Sequence, residues 1–329
     1  MIILCKSVWF FLGVAFLFWL PTRALPHQVL PDQAAQEVEF VIGFSQATTT
    51  EPWRLLFNRE LRAEAALHPE LDVIVRNGMD DVAKQIADVE EFINRGVDVI
   101  LISPKVADAL TAVVNKAFNA GIPIIVMDRD LANDHYTQFI GGDNRLIGQK
   151  AGQYAINLLG GPGKAKGNIV EIWGGMGSTP AQDRHAGFDE VISKEPGITL
   201  LGKPMDGDWK QDLGYEIMAE ALDTYPRIDL VYAHNDPMAY GAYLAAQDVG
   251  RAEQIFFLGI DGISTEGVRW VFKGILTATF LYMTPGAEGI RQALHLLRGE
   301  PISKRVILPT KIIDATNAAE ILRANSILE

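Results

Sequence analysis

Residues 123–130 read Pro-Ile-Ile-Val-Met-Asp-Arg-Asp, a short apolar run that ends abruptly in three charged residues. Bounded by Gly121 and by these charges, the run predicts a buried strand of a parallel sheet. Ligands of open α/β sheets bind just outside the carboxyl ends of the strands, where Asp128 and Arg129 stand. A carboxylate accepts hydrogen bonds and a guanidinium donates them, so the pair suits a small ligand with several hydroxyl groups. An ion pair that caps the strand is the equal alternative.

Strand and helix patterns alternate on both sides of this run. Strands are predicted at residues 38–44, 71–76 and 97–103, each followed by a helical pattern. The alternation resumes with a helix at residue 146 and continues to a strand at residues 255–260. Two successive βαβ series predict an α/β protein with two doubly wound parallel-sheet lobes and right-handed crossovers.

The final third of the chain does not simply extend the second lobe. It predicts a strand, a helix and a single further strand over residues 277–313. In a chain that crosses between two lobes, these elements would carry the chain back from one lobe to the other. We therefore assign residues 38–141 and 263–283 to an N-terminal lobe, and residues 142–262 and 284–329 to a C-terminal lobe.

Length and charge restrict the class of protein. A chain of 329 residues is long enough for two domains of ordinary size. The net charge of −12 argues against nucleic acid or an anionic membrane as a partner, because both favour clustered Lys and Arg.

The N-terminus predicts a secretory signal peptide over residues 1–24, in which Lys6 precedes an apolar run and small residues follow it. An uncleaved membrane anchor stays open, because Arg23 interrupts the cleavage region. Residues 25–37 predict a loose leader or linker. The single cysteine, Cys5, precedes the apolar run, so the mature chain would have no disulfide and no cysteine nucleophile.

Enzyme motifs are absent from the sequence. There is no G-x-S-x-G elbow, P-loop or H-E-x-x-H motif, and the six histidines have no companions at metal-ligand spacing. We therefore predict no catalytic residue, no metal site and no cofactor. An enzyme that acts on a sugar is the disfavoured alternative, since no activated nucleophile is evident.

Planar polar groups and tryptophans recur at predicted strand ends and at the helix starts that follow them. A hydroxyl group both donates and accepts hydrogen bonds, and the C–H faces of a sugar pack on aromatic rings, so this set is typical of sugar recognition. Each also has a structural alternative: Trp53 in the core, Arg184 in a surface salt bridge, Asn235 as a helix cap. The candidate ligand-binding residues are Gln46, Trp53, Arg54, Asp128, Arg129, Arg184, Trp209, Asn235, Asp261 and Tyr282.

An ordered set of motifs in residues 38–313 resembles the periplasmic sugar-binding proteins of ABC transporters, of the ribose/galactose type. No single motif is specific, so the order carries the resemblance. The motifs are Gly43-Phe44-Ser45-Gln46 with Trp53-Arg54, Gly121-Ile122-Pro123 before Asp128-Arg129, Asp183-Arg184, His234-Asn235-Asp236-Pro237 and Gly259-Ile260-Asp261-Gly262.

The resemblance implies a type I periplasmic binding protein fold, in which two lobes joined by a three-crossover hinge close on a pentose or hexose. By position it implies hydrogen bonds to the sugar from Asp128, Arg129, Arg184, Asn235 and Asp261, and stacking by Trp53 and Trp209. Tyr282 stands where the family often has Gln or Glu, which leaves the exact sugar open. The segment from Gln46 to Arg54 looks closer to members that take furanoses.

The resemblance also implies a periplasmic location, a monomer and an ABC permease as membrane partner. The alternative is a soluble sugar-sensing partner of a membrane histidine kinase, because the end of the chain resembles such sensor modules. A relationship to DNA-binding repressors is excluded, since those carry a helix-turn-helix where this chain has its apolar N-terminus.

Overall fold

The computed structural model describes residues 38–328, so the predicted signal peptide and leader lie outside the described residues. The first series of elements is β1 Phe40–Gln46, α1 Pro52–Ala65, β2 Leu71–Asn77, α2 Val82–Arg95, β3 Val99–Ser103, α3 Ala107–Asn119, β4 Ile124–Met127 and β5 Gln138–Gly142. The second is α4 Asn144–Leu158, β6 Lys166–Trp173, α5 Thr179–Ile192, β7 Gly197–Leu200, β8 Met205–Asp206, α6 Gln211–Thr224, β9 Leu230–Ala233, α7 Asp236–Asp248 and β10 Phe256–Asp261. The chain then continues with α8 Gly267–Phe272, β11 Ala278–Leu281, α9 Gly286–Leu297, β12 Arg305–Leu308, β13 Ile312–Asp314 and α10 Ala318–Ala324.

Two sheets organise these elements into two lobes. The first sheet has the strand order β12-β5-β4-β3-β1-β2, and the second has the order β13-β11-β10-β9-β6-β7, with β8 also paired to β6. Neighbouring strands are parallel except for the β11–β13 pair, which is antiparallel. The predicted α/β fold with two doubly wound lobes is confirmed.

Strand β4 lies inside the first sheet, between β3 and β5, and all four of its side chains are buried. Burying an aliphatic side chain of this size stabilises a fold by about 1.5–3 kcal/mol, so the apolar run is held firmly in the sheet interior. The charged residues that follow must then leave the sheet at its carboxyl edge. Asp128 is the first of them, and its N–H donates to the Ile140 carbonyl at 2.8 Å.

Three crossovers join the lobes, as the resemblance implies. The chain passes from β5 to α4 at residue 143, from β11 to α9 through residues 282–285, and from β12 to β13 through residues 309–311. Within residues 38–328 no helix combines the length and apolar composition needed to cross a membrane.

The predicted lobe assignment is wrong for the final third of the chain. Residues 263–283 are predicted in the N-terminal lobe, but β11 pairs with β10 in the second sheet. Residues 284–329 are predicted in the C-terminal lobe, but α9 packs against α1 and β12 pairs with β5 in the first sheet, so that only β13 and α10 return to the second lobe.

The physical reason is that strands of three or four residues carry no pattern that selects one sheet over the other. Their partners are set by long-range packing. The single strand predicted after α9 is also two strands, which pair in different sheets. Pro309 lies between them and has no N–H for a continuous ladder.

A close approach between helices α4 and α5 positions the second lobe's share of the cleft. A Cβ on Gly148 would lie 2.2 Å from the Arg184 carbonyl oxygen, and one on Gly187 would lie 2.0 Å from the Arg145 carbonyl oxygen. Only glycine permits these contacts. They hold α5 against the start of α4, which brings Arg184 beside Asn144.

Candidate ligand-binding cleft

A cavity lies between the two lobes, at the carboxyl edges of their sheets. Every predicted site residue except Gln46 lines this cavity, so the structure brings together residues that are far apart in the chain. The lining consists of Glu51, Trp53, Arg54, Asp128, Arg129, Pro180, Arg184, Trp209, Asn235, Asp261 and Tyr282.

Asp128 is the centre of the first lobe's half of the cavity. Its backbone has φ 68°, a left-handed conformation that Asp tolerates better than most residues. Arg54 Nη2 lies 2.7 Å from Asp128 Oδ2, the Ser103 hydroxyl donates to the same oxygen at 3.2 Å, and the Tyr282 hydroxyl donates to Oδ1 at 2.8 Å. The ion pair considered as an alternative is therefore present, but mainly with Arg54, since Arg129 Nε is 3.7 Å away.

Neighbouring arginines determine whether Asp128 is ionised in the first lobe's half of the cavity. Burial acts to raise the pKa of Asp128, but the guanidiniums of Arg54 and Arg129 outweigh burial and hold the pKa below its ordinary value. Burial, reinforced by repulsion from Arg54, lowers the pKa of Arg129 to about 10. At neutral pH Asp128 and Arg129 are therefore both charged, and together with Arg54 they form a buried ionic cluster.

Gln46 lies outside the lining, which corrects its predicted role as a direct ligand. It is the last residue of β1, and its buried Oε1 accepts a hydrogen bond from Arg54 Nη1 at 3.0 Å. Its Nε2 donates to Asn58 Oδ1 at 3.0 Å. Because both ends of the amide are engaged, Gln46 orients Arg54 from behind the cavity wall.

Trp53 combines the two roles that the sequence leaves open. It is buried, and its ring meets Phe57 edge-on in the core at 5.5 Å. Its ring also stacks on Tyr282 at 5.3 Å, and its Nε1 donates to the Tyr282 carbonyl at 2.8 Å. Tyr282 begins the second crossover and receives a hydrogen bond from Asn144 Nδ2 at 3.3 Å. This aromatic pair therefore links the hinge to the cavity wall.

Arg184 is 2% exposed, so the surface salt bridge considered for it is wrong. Its Nε donates to Asn144 Oδ1 at 2.9 Å and its Nη1 donates to the His234 carbonyl. The guanidinium carbon lies 4.5 Å from the Tyr282 ring centre. These hydrogen-bond partners are neutral, and the charge of Arg184 acts on the nearby carboxyl group of Asp261, whose pKa it lowers against the effect of burial.

Trp209 lies between guanidiniums of the two lobes. Its ring centre is 5.5 Å from the guanidinium carbon of Arg129 and 5.4 Å from that of Arg184. The ring packs over Gly174, where a Cβ would come within 2.2 Å of it. Trp209 has φ 67° and so turns sharply into the cleft just before α6. Stacked cations of this kind hold an aromatic ring in place.

Asn235 is a helix cap that also faces the cavity. Its Oδ1 accepts from the Met238 N–H at 3.0 Å at the start of α7, and its Nδ2 donates to the Trp209 carbonyl at 2.9 Å. The capping role considered as an alternative is therefore real. One amide group fixes both α7 and the turn that carries Trp209.

Asp261 differs from Asp128 because its carboxyl group has no side-chain partner among residues 38–328. It ends β10 at φ 129°, and its carboxyl group makes no hydrogen bond or salt bridge with any residue of the described range 38–328. Burial, together with the nearby carboxyl of Asp236, raises the pKa of Asp261 well above its ordinary range. A ligand hydroxyl placed here would satisfy a group that the protein leaves unsatisfied.

Two lining residues were missed from the sequence. Glu51 immediately precedes α1, and its Oε2 is buried without a hydrogen-bond partner in the described part of the chain. The rule that selects helix-start residues would have found it. Pro180 lies in the first turn of α5 and supplies apolar surface, for which the sequence contains no signal.

Comparisons with known proteins agree with this architecture. Residues 42–301 match the family described as periplasmic binding protein domain. The ribose import binding protein of Escherichia coli (strain K12) is 30% identical over 244 residues, which are 74% of this chain and 80% of the relative. The galactofuranose-binding protein of the same organism is 31% identical over 230 residues, 68% of this chain and 71% of the relative.

Solved structures extend the similarity. The fructose binding periplasmic domain of a hybrid two component system is 39% identical, with TM-score 0.83 over 87% of this chain and 94% of that chain. A Mycobacterium smegmatis protein in complex with β-D-fucofuranose is 31% identical, with TM-score 0.81 over 87% and 95% of the two chains. The resemblance noted from the motifs is confirmed: the chain belongs to the periplasmic binding protein family and has its two-lobed type I fold.

Proposed function

We propose that this protein is a periplasmic receptor that closes on a neutral monosaccharide, a pentose or hexose, and delivers it to an ABC permease. The observation that supports this most is that strong hydrogen-bond donors and acceptors line the cavity together. Three guanidiniums (Arg54, Arg129, Arg184) and three carboxyl groups (Glu51, Asp128, Asp261) contribute to the lining. Each hydroxyl of a neutral sugar can accept from a guanidinium and donate to a carboxyl group, whereas a charged ligand would meet groups of its own charge.

The two lobes would contribute in different ways. The first lobe offers Arg54 and Asp128, already bonded to each other, and Arg129. The second lobe offers Arg184 and Asp261, which have no ionic partner within residues 38–328. A sugar that bridges both sets interacts better with the closed form than with an open one, and this difference in affinity shifts the hinge equilibrium toward closure.

A furanose ring is the form that we propose first. Several relatives of known structure are described with furanoses, including the β-D-fucofuranose complex and an arabinose transporter component bound to α- and β-L-arabinofuranose. Trp53 and Trp209 both line the cavity, and their rings would pack on the C–H faces of such a sugar.

Thermal shift and calorimetry of the mature protein test the proposal. The panel is D-ribose, L-arabinose, D-fructose, D-galactose, xylitol and myo-inositol. A ligand at 100 times its dissociation constant stabilises by about 2.7 kcal/mol, a readily measured rise in Tm. We expect one or two strong responses, with the sugar recovered unchanged after incubation. A flat response from folded protein across the panel contradicts the proposal, and turnover of the sugar would replace it with an enzyme.

A second candidate function is sugar sensing for a membrane histidine kinase. It is favoured by the 39% identity to the fructose binding periplasmic domain of a hybrid two component system. Reconstitution separates the two functions. The sugar-loaded protein should stimulate ATP hydrolysis by a neighbouring permease if it serves transport, and autophosphorylation by a neighbouring kinase if it serves sensing.

A further inference from the structure

A second cavity adjoins the inner cavity at Glu51 and Trp209, and we call it the outer groove. The first lobe contributes Thr50, Glu51 and Pro52 to its lining. The second lobe contributes residues that include Trp209, Lys210, Gln211, Glu266 and Trp270. Glu51 and Trp209 also line the inner cavity. These two side chains are therefore all that the two spaces share, and they stand between them.

The outer groove contains hydrogen-bond acceptors that the protein does not use. Glu51 Oε2 and Glu266 Oε2 are both buried, and neither has a hydrogen-bond partner in the described part of the chain. A buried acceptor left unsatisfied costs about 1–3 kcal/mol. Burial raises the pKa of Glu266, which is what a carboxyl group without a compensating donor shows. Both groups would be satisfied by the hydroxyl donors of a ligand.

Aromatic surface complements these acceptors. The Trp270 ring stacks on Tyr240, with ring centres 4.4 Å apart and planes inclined by 10°, so it is held rigidly at the groove. Trp209 is fixed between Arg129 and Arg184. Rigid indoles beside unsatisfied carboxylates are the same combination that the inner cavity offers, and it suits a second hydroxylated ring.

Glu51 is the first-lobe residue that lines both spaces. Its side chain makes no capping hydrogen bond to α1, so no such bond holds it between them. A glycosidic substituent could pass between Glu51 and Trp209. Its rigid rings and unsatisfied carboxyl oxygens suit a second sugar ring better than an apolar protein segment.

We infer that the outer groove is a second sugar subsite, which holds a ring linked glycosidically to the sugar in the inner cavity. The receptor therefore accepts a disaccharide as well as a monosaccharide. This inference rests on the proposed function, because the inner cavity must hold the first ring.

Titration calorimetry with matched sugar pairs tests the subsite on the full mature protein. The pairs are D-fructose with sucrose, D-galactose with lactose, and L-arabinose with arabinobiose. We expect at least one disaccharide to bind as tightly as its monosaccharide or more tightly. Trp270→Ala should weaken that disaccharide about tenfold, as loss of one stacking contact does, and leave the monosaccharide within about twofold.

Two further variants keep the test decisive. Phe272→Ala removes an exposed ring from the same helix α8, outside the lining of the groove, and should leave both affinities unchanged. Gln211→Ala removes an exposed amide from the groove and should weaken only the disaccharide, so a poorly folded Trp270→Ala variant does not leave the result open.

The failures of the subsite and of the receptor are distinguishable. If a monosaccharide binds and every disaccharide that contains it binds more weakly than the monosaccharide, the subsite is wrong and the receptor function stands. An equal loss for both ligands in Trp270→Ala and Gln211→Ala, with Phe272→Ala unchanged, also overturns the subsite. If no sugar in the panel binds, both proposals fall.

Discussion

The two halves of the cleft are built from similar residues but bonded in opposite ways. In the first lobe, Asp128 is held by Arg54, Ser103 and Tyr282, so its charge is compensated before any ligand arrives. In the second lobe, Arg184 bonds only neutral oxygens, and Asp261 bonds no residue of the described range. The polar groups of the first half are therefore already bonded to one another, whereas those of the second half remain available to bond a ligand. Substitutions in the first half should therefore lower stability most, whereas substitutions in the second half should mainly weaken ligand binding.

The largest effect is expected for Asp128→Ala. Removing this carboxylate leaves Arg54 buried and unpaired, and breaking a buried pair in this way costs about 3–5 kcal/mol of stability. Urea unfolding should show this loss, and sugar affinity should fall by more than about tenfold.

Asp130→Ala is the matched control for Asp128→Ala. Asp130 pairs with the half-exposed Arg305 at 2.9 Å, and exposed pairs contribute only about 0–1 kcal/mol. Equal stability losses for the two variants would show that Asp128 is not needed to compensate the buried charge of Arg54. That result would contradict the contrast between the two halves of the cleft.

Arg184→Ala should reverse the pattern. Because its partners are neutral, its removal strands no charge, and stability should fall less than in Asp128→Ala. Binding should fall about ten- to a hundredfold, the loss of a charge-assisted hydrogen bond. Arg184→Lys tests the geometry, since an ammonium keeps the charge and loses the fork of donors. A binding loss smaller than the stability loss would contradict this assignment.

Asp261→Asn should weaken sugar binding while it leaves the unliganded protein as stable or more stable. The folded-state pKa of Asp261 is raised above the ordinary value of 3.8, so its favourable contribution to stability exists at low pH and is lost as pH rises through the folded pKa. The stability advantage of Asn over Asp should therefore grow as pH is raised from about 4 to 8. A constant difference across that range would show that Asp261 does not titrate in the folded protein.

The smallest effect is expected at the rim of the cleft, where charges of the two lobes meet. Lys210 Nζ lies 3.5 Å from Asp80 Oδ2 across the cleft, and Lys105 Nζ lies 3.8 Å from Asp208 Oδ1. These side chains are partly exposed, so each pair contributes about 1 kcal/mol or less and is screened by salt. Lys210→Ala should lower sugar affinity less than about fivefold, and less still at high salt.

Lys116→Ala is the control for the rim, because Lys116 pairs with Glu90 inside one lobe at 2.8 Å. It should leave affinity unchanged at any salt concentration. If Lys210→Ala lowers affinity equally at low and high salt, the rim pairs do not act through charge.

The residues that the sequence located well are those whose place follows from local rules. The run that ends at Asp128 predicts a buried strand, and the rule that sites lie at strand ends then predicts Asp128, Arg129 and Asp261 in one cleft. Their partners follow from no local rule. Nothing near Asp128 indicates that Arg54, on a helix three strands earlier in the chain, would neutralise it.

The strands of the final third were assigned to the wrong lobe for the same reason, because no local pattern indicates their partners. Ala278–Leu281 and Arg305–Leu308 are both short, and their sheets are chosen by neighbours that are distant in sequence. Gln46 was placed correctly at a strand end, but its hydrogen bond to Arg54 takes it out of the lining. Periodicity locates elements and ends, whereas the pairing of polar groups requires the packed structure.

The central claim, that the cleft closes on an uncharged sugar, is tested most directly by calorimetric titration with charge-differing pairs. The probes are D-ribose and D-ribose 5-phosphate, and D-fructose and D-fructose 6-phosphate. The account predicts that a free sugar binds and that its phosphate ester binds at least about 100-fold more weakly, because the added phosphate would lose its hydration beside the buried carboxyl groups of Asp128 and Asp261. Tighter binding of an ester than of its free sugar would contradict the account.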